Sequence, residues 1–169
     1  MENENTNYVS YLVELSQSGR KNAYFDLCEI NLRNIFTVAY RLYPEADRAQ
    51  KITLKTLLIA WENIKSFDVK NSFALWLKSL AVKSAIRELN KYGDSLKPAI
   101  DKTIYAHEHE KIENMIINLP NEDRIIFILH DLEGYDYEEI KNFLEDKSAD
   151  EIKSRLLEIR EKLMSKMGL

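Results

Sequence analysis

A single cysteine, Cys28, leaves no second thiol for an intramolecular disulfide. The opening stretch MENENTNYVS has neither the basic start nor the apolar core of a secretory signal. No window reaches the ~18 uninterrupted apolar residues a membrane span needs. A cytoplasmic protein with no membrane partner is therefore expected. Glycine and proline are also scarce, at four and three in 169 residues, so there are few places where a helix must stop. Leu, Ile, Glu, Lys and Asn dominate instead, and the expected fold class is all-α, in two small helical domains. With 45% hydrophobic residues, the chain has the usual means to bury a core.

The net charge of -4 conceals an uneven distribution. Residues 8–92 carry 13 basic against 8 acidic side chains, a surplus of +5, while residues 118–169 carry 8 against 13, a balance of -5. Opposite signs suggest different partners for the two halves, although charge also drifts along helical proteins without consequence.

Apolar residues recur at helical spacing from Tyr8 to Leu15, then through Tyr24, Leu27, Ile35, Val38, Ala39 and Leu42, until Pro44 ends the run. A third helix is expected over Glu45 to Ile64. Ser72 suits the cap of a fourth, whose inward stripe is Phe73, Trp76, Leu77, Leu80, Ala81, Ile86 and Leu89, closing near Gly93. These four helices make a first domain, 1–92. The stretch GDSLKPAIDKT reads as a linker and, with a short helix near Ala106 to Ile117, forms a connector over 93–117. Pro120 and Asn121 open a second domain, 118–169, with Glu122 and Asp123 in its first turn. Asp136 with Glu139 fits a capping box for Tyr137 to Leu144, and Ser148 with Glu151 fits another for Ala149 to Lys166. Two helices joined by a polar turn, the second carrying Lys153, Arg155, Arg160 and Lys162, fit a helix-turn-helix; a plain helical hairpin with a solvated charged face fits the same spacing.

Several blocks resemble one family along nearly the whole chain. In LVELSQSGRKNAYFDL, the spacing of Gly19, Ala23, Tyr24 and Leu27 is similar to the opening of extracytoplasmic-function (ECF) sigma factors. Ala60-Trp61, with Phe67 after it, resembles the end of that family's central region-two helix, and Ser72-Phe-Ala-Leu-Trp76-Leu77-Lys-Ser-Leu-Ala81 resembles the segment that follows. Leu119-Pro120, Arg124, Phe127, Leu132-Glu-Gly134, Tyr137-Glu-Glu-Ile140 and Ile152-Lys-Ser-Arg-Leu156 look like region four.

The resemblance implies an RNA polymerase initiation factor with no cofactor and no catalytic or metal site. Its partners would be core polymerase, promoter DNA and an anti-sigma factor. Region two would dock on the polymerase and hold an unstacked base of the minus-ten element, and region four would read the minus-thirty-five duplex. Melted DNA presents ring faces and phosphates, which a basic helix with aromatics can hold, whereas a duplex is read by a helix in its major groove. The candidates for the first task are Lys70, Asn71, Ser72, Lys78, Lys83, Arg87 and Lys91; for the second, Lys153, Ser154, Arg155, Arg160 and Lys162. Trp61 and Trp76 lie on apolar stripes and are read as core.

The chain departs from the pattern at two places. Gln50, Lys51, Leu54 and Lys55 stand at polymerase-facing positions where the family usually has Glu, Asp, Gln and an acid. Like charges across an interface can cost several kcal/mol. Glu145-Asp146-Lys147 replaces a shorter, glycine-containing turn, and Ala149 to Ser165 carries four basic and four acidic residues, so weak duplex binding is expected. A rival reading is a sigma mimic that keeps the shape and binds a regulator instead. Another is a metal enzyme built on His107-Glu108-His109-Glu110 with Glu113, but side chains at i and i+2 of a helix do not share a face, and solvated linker is the simpler reading. His130 is expected to be a partly buried helix residue and Cys28 a small hydrophobe packed between helices.

Overall fold

The computed structural model describes residues 2–92, 108–144 and 146–168, with side chains at 7–91, 112–144 and 146–168. The chain divides into two compact units, Met1–Arg87 and Glu88–Leu169. The expected linker 93–103 lies outside the described residues.

The first unit is built from α1 (Glu2–Gln17), α2 (Lys21–Leu42), α3 (Ala46–Asn63) and α4 (Phe73–Tyr92), whose last residues pass the division. α1 is longer than the apolar run Tyr8 to Leu15 suggested. Gly19 turns the chain into α2 with φ of +91°, and an added Cβ there would meet nothing within 4 Å, so glycine is needed for its backbone freedom alone. α2 buries Tyr24, Leu27, Asn31, Ile35, Val38 and Leu42, spaced three or four apart as a single helix stripe requires. Leu12, Val13, Tyr24, Leu27, Ala60, Ile64, Phe67, Phe73 and Leu77 belong to one core cluster, with Cys28, Trp61 and Trp76 half-buried against it.

The aromatic contacts explain both tryptophans. Trp61 packs 5.0 Å from Tyr24, and Trp76 lies 4.8 Å from Phe67 and 5.5 Å from Phe73. The Tyr24 hydroxyl donates to the Leu57 carbonyl at 2.5 Å, tying α2 to α3. Gln17 donates to the carbonyls of Ile64 and Phe67 at 3.0 and 2.7 Å, closing the 3-10 turn Ile64–Ser66 that follows α3. The buried Ser16, Asn31, Thr53 and Thr56 each donate to the carbonyl four residues back in their own helix, so they enter the core already satisfied.

The second unit contains α5 (Glu108–Ile117), α6 (Asn121–Phe127), α7 (Tyr137–Lys141) and α8 (Ala149–Met167). Buried Arg124 donates to the Ile117 and Leu119 carbonyls and to Asn121 Oδ1, fixing the bend between α5 and α6. α6 runs on into a π-helical segment, Ile128–Leu132, where Glu133 N–H bonds the Ile128 carbonyl at 3.0 Å. Nothing in the apolar spacing marked this widening. Gly134, with φ of +76°, then reverses the chain. Both expected capping boxes form. Asp136 accepts from Glu139 N–H at 2.8 Å and Ser148 Oγ from Glu151 N–H at 3.2 Å, and each glutamate accepts in return from the cap's N–H. α7 ends at Lys141, short of the expected Leu144, because Phe143 N–H bonds Ile140 three residues back and tightens the chain into a turn. Leu144 is still buried, with Ile140, Ile152, Leu156, Ile159 and Leu163.

Ser148→Ala removes one partner of the box at the start of α8 and is expected to destabilise the second unit by about 1 kcal/mol. Faster amide exchange across α8 in the full chain, with exchange in α2 unchanged, is the expected observation. Equal exchange in both proteins would mean the box adds nothing to the stability of α8.

Candidate functional site

α4 carries the first group of candidates. Just before it, the Ser72 Oγ accepts from Leu75 N–H at 3.4 Å, so this hydroxyl caps the helix and leaves its side chain at the surface. Before it, Asp68 shapes the loop by accepting from Lys70 N–H at 3.0 Å, which presents Lys70 and Asn71 outward. At about 100° per residue, Ser72, Trp76, Lys83, Arg87 and Lys91 fall on one stripe of α4. Lys83, Arg87 and Lys91 are exposed, and Lys83 and Arg87 have no acidic partner among the described residues. Lys78 does not join them. It is half-buried and about 140° further round the helix.

The second group lies on α3. Gln50, Lys51, Leu54 and Lys55 are all exposed, opposite the buried Ala49, Ile52, Thr53, Thr56 and Ala60. The same face adds Leu58, which sequence reasoning passed over; it is 64% exposed and Leu54 is 54% exposed. On α2, Phe25, Leu32, Phe36 and Tyr40 also stand in solvent along one stripe, Phe36 and Tyr40 stacked at 6.1 Å. Their spacing from one another was the available signal, masked by the stronger buried stripe on the same helix.

α8 carries the third group, and two of its cations have partners within the chain. Arg155 was a candidate for base contact. Its Nε donates to Asp123 Oδ1 at 2.6 Å, its Nη2 to Asp123 Oδ2 at 3.0 Å and its Nη1 to Glu158 at 2.7 Å. Arg160 grips Asp131 in the same forked way, through Nε at 3.0 Å and through Nη2. Withdrawal from water penalises these carboxylates, fully for Asp123 and partly for Asp131, and the arginines offset that cost. Lys147 adds a third tie, to Glu122 at 3.2 Å. The candidates left exposed on α8 are Lys153, Ser154 and Lys162, interspersed with Asp150, Leu157, Glu161 and Met164.

Burial works to raise the Asp131 pKa, but hydrogen bonds from Arg160 and His130 outweigh it and hold the carboxyl below its usual range. His130 Nδ1 lies 2.9 Å from Asp131, and its ring stacks on Tyr137 at 4.7 Å, a partly buried structural position. The side chains of Glu108, His109 and Glu110, and all of His107, lie outside the described residues. Among the described residues no three metal-ligating side chains cluster, and no helix is long and apolar enough to cross a membrane.

The family model for Sigma-70 region 2 matches residues 27–94, and that for Sigma-70, region 4 matches residues 109–140. The chain is 22% identical to the ECF RNA polymerase sigma factor SigW of Bacillus subtilis, over 89% of this chain and 92% of that protein. It is 26% identical to the ECF RNA polymerase sigma-E factor of Haemophilus influenzae, over 92% and 93%. The chain belongs to the ECF sigma factor family.

Two solved structures share the fold. CnrH, in complex with the cytosolic domain of CnrY, superposes with a TM-score of 0.63 at 16% identity, covering 95% of this chain and 97% of that one. The sigma factor RpoE of Bartonella quintana, in complex with the anti-sigma factor NepR, gives 0.64 at 20%, covering 86% and 97%. The region-two match takes in α3, α4 and most of α2, and the region-four match takes in α5 to α7 and ends at residue 140; α8 lies beyond that match but in the same compact unit, and completes region four here. The acidic turn and the charge-balanced stretch Ala149 to Ser165, which depart from the family pattern, therefore fall beyond the matched residues.

A carboxyl with a lowered folded-state pKa contributes stability that is full above its unfolded value, near pH ~4, and is lost as pH falls through the folded value. Region four should lose stability on acidification below pH ~4, and Asp131→Asn should lose less over the same interval. Denaturant midpoints of the full chain at neutral and acidic pH, read from α8 amides, make the measurement. Identical acid losses in the two proteins would show that the Asp131–Arg160 pair does not stabilise region four.

Proposed function

We propose that this ECF sigma factor directs core RNA polymerase to promoters from the cytoplasm, as a binding protein rather than an enzyme, with region two doing most of the DNA work. The observation that carries the reading is the α4 stripe, where Lys83 and Arg87 stand exposed in line with the half-buried Trp76. A flexible single strand follows a line of cations with its phosphates, and an unstacked base can rest against the loop at Lys70, Asn71 and Ser72. Region four, with its arginines engaged internally, contributes weaker duplex contacts through Lys153, Ser154 and Lys162.

Polymerase would dock on the exposed α3 face. Leu54 and Leu58, with the apolar stripe of α2, offer the buried centre such an interface needs, and Gln50, Lys51 and Lys55 its polar rim. Comigration of the full chain with core polymerase in gel filtration tests the reading. Leu54→Asp with Leu58→Asp should abolish the complex, while Lys51→Glu with Lys55→Glu, which restores the family's acids, should strengthen or spare it. Failure of the unmodified chain to comigrate at low salt would instead support a mimic that binds a regulator. For the DNA step, Lys83→Ala with Arg87→Ala should lower the salt slope of single-strand binding by about 0.7 for each phosphate no longer neutralised. An unchanged slope would remove the stripe from the DNA path.

A further inference from the structure

At about 100° per residue, Arg155 and Arg160 stand on opposite borders of the α8 stripe formed by Ile152, Leu156, Ile159 and Leu163. Side chains at these borders are the ones that meet the sugar-phosphate backbones when a helix lies in a major groove. Neither arginine is turned to such a partner. Each forks onto a carboxylate from a distant part of the chain, Asp123 on α6 or Asp131 on the π-helical segment. We propose that Asp123 and Asp131 set how tightly region four holds duplex DNA, by occupying the two arginines that flank its recognition helix. This rests on reading α8 as the helix that meets the duplex.

The two pairs differ in how readily they open. The Asp123 side chain is 3% exposed, so withdrawing Arg155 leaves a buried carboxylate without its cation, and Arg155 stays in place. Asp131 is 18% exposed and keeps the His130 contact when Arg160 leaves. Arg160 is thus the cation that phosphate competes for, and Asp131 the residue that limits region four. The exposed remainder of α8 does not compensate, because Asp150 and Glu161 stand among Lys153 and Lys162.

The test is a salt titration of the full chain on random-sequence duplexes, long enough to cover one groove face. Asp131→Asn keeps the shape and removes the competing charge. It should steepen the slope of log affinity against log salt by about 0.9, equivalent to about five- to tenfold tighter binding at 0.1 M salt. Arg160→Gln alone should leave the slope of the unmodified chain unchanged, because the arginine is already occupied. Combined with Asp131→Asn, it should erase the gain. Three results would overturn the proposal. One is a gain that survives without Arg160, which is an effect of net charge alone. Another is a slope shallower by about 0.9 in Arg160→Gln, which would mean that the arginine already neutralises a phosphate in the unmodified chain. The third is no duplex binding by any variant at low salt. Arg160→Gln remains informative if Asp131→Asn fails to fold. Comigration with core polymerase is scored separately, so failure of the sigma-factor reading is distinct from failure of this one.

Discussion

Asp123 and Arg124 are the charged side chains buried among the described residues, and the second unit is organised around keeping both partnered. Arg124 donates to carbonyls and to Asn121 close by in the chain, while the carboxylate of Asp123 is matched by a cation from far along it. An enclosed carboxylate without one costs several kcal/mol. Arg155 meets the need, and in doing so fixes the register of α8 against α6, since a slip of one turn would carry its guanidinium about 5.4 Å away. With that register set, Arg160 reaches Asp131, which the π-helical widening places on the other flank.

The same constraint reshapes the electrostatics of the surfaces proposed for DNA. Counted from sequence, α8 has five bases against four acids; counted by what faces solvent without a partner of its own, it has lost two of its cations. α4 runs the other way. Lys83 and Arg87 project from a helix whose buried side is apolar, with no carboxylate set against them among the described residues. These pairs leave the net charge of each half as it was, but they reduce the cations that region four could offer to phosphate while Lys83 and Arg87 keep theirs.

Region two also shows how one helix serves two masters. α2 buries one stripe in the unit's own core and exposes another that is nearly as apolar, and α3 does the same with Leu54 and Leu58. Apolar side chains left in solvent along defined faces suit a partner that covers them. The exposed lysines at 51 and 55 would lie at the rim of the proposed interface, where charge adjusts selectivity more than it supplies affinity.

The helices, their caps and the core stripes of α2 and α4 were legible in the sequence because they depend on neighbours three or four residues apart. Ser72, Asp136 and Ser148 cap where the spacing placed them, and both tryptophans pack as their stripes required. The exposed stripes were harder to see, because an apolar residue gives the same signal whether it faces a core or a partner. The π-helical segment left no trace in the periodicity. The DNA candidates on α8 were chosen by residue type and helix position, and the sequence determined both correctly. Only the tertiary structure decided what Arg155 does, because a guanidinium suits a phosphate and a carboxylate equally well, and its carboxylate comes from 32 residues earlier in the chain.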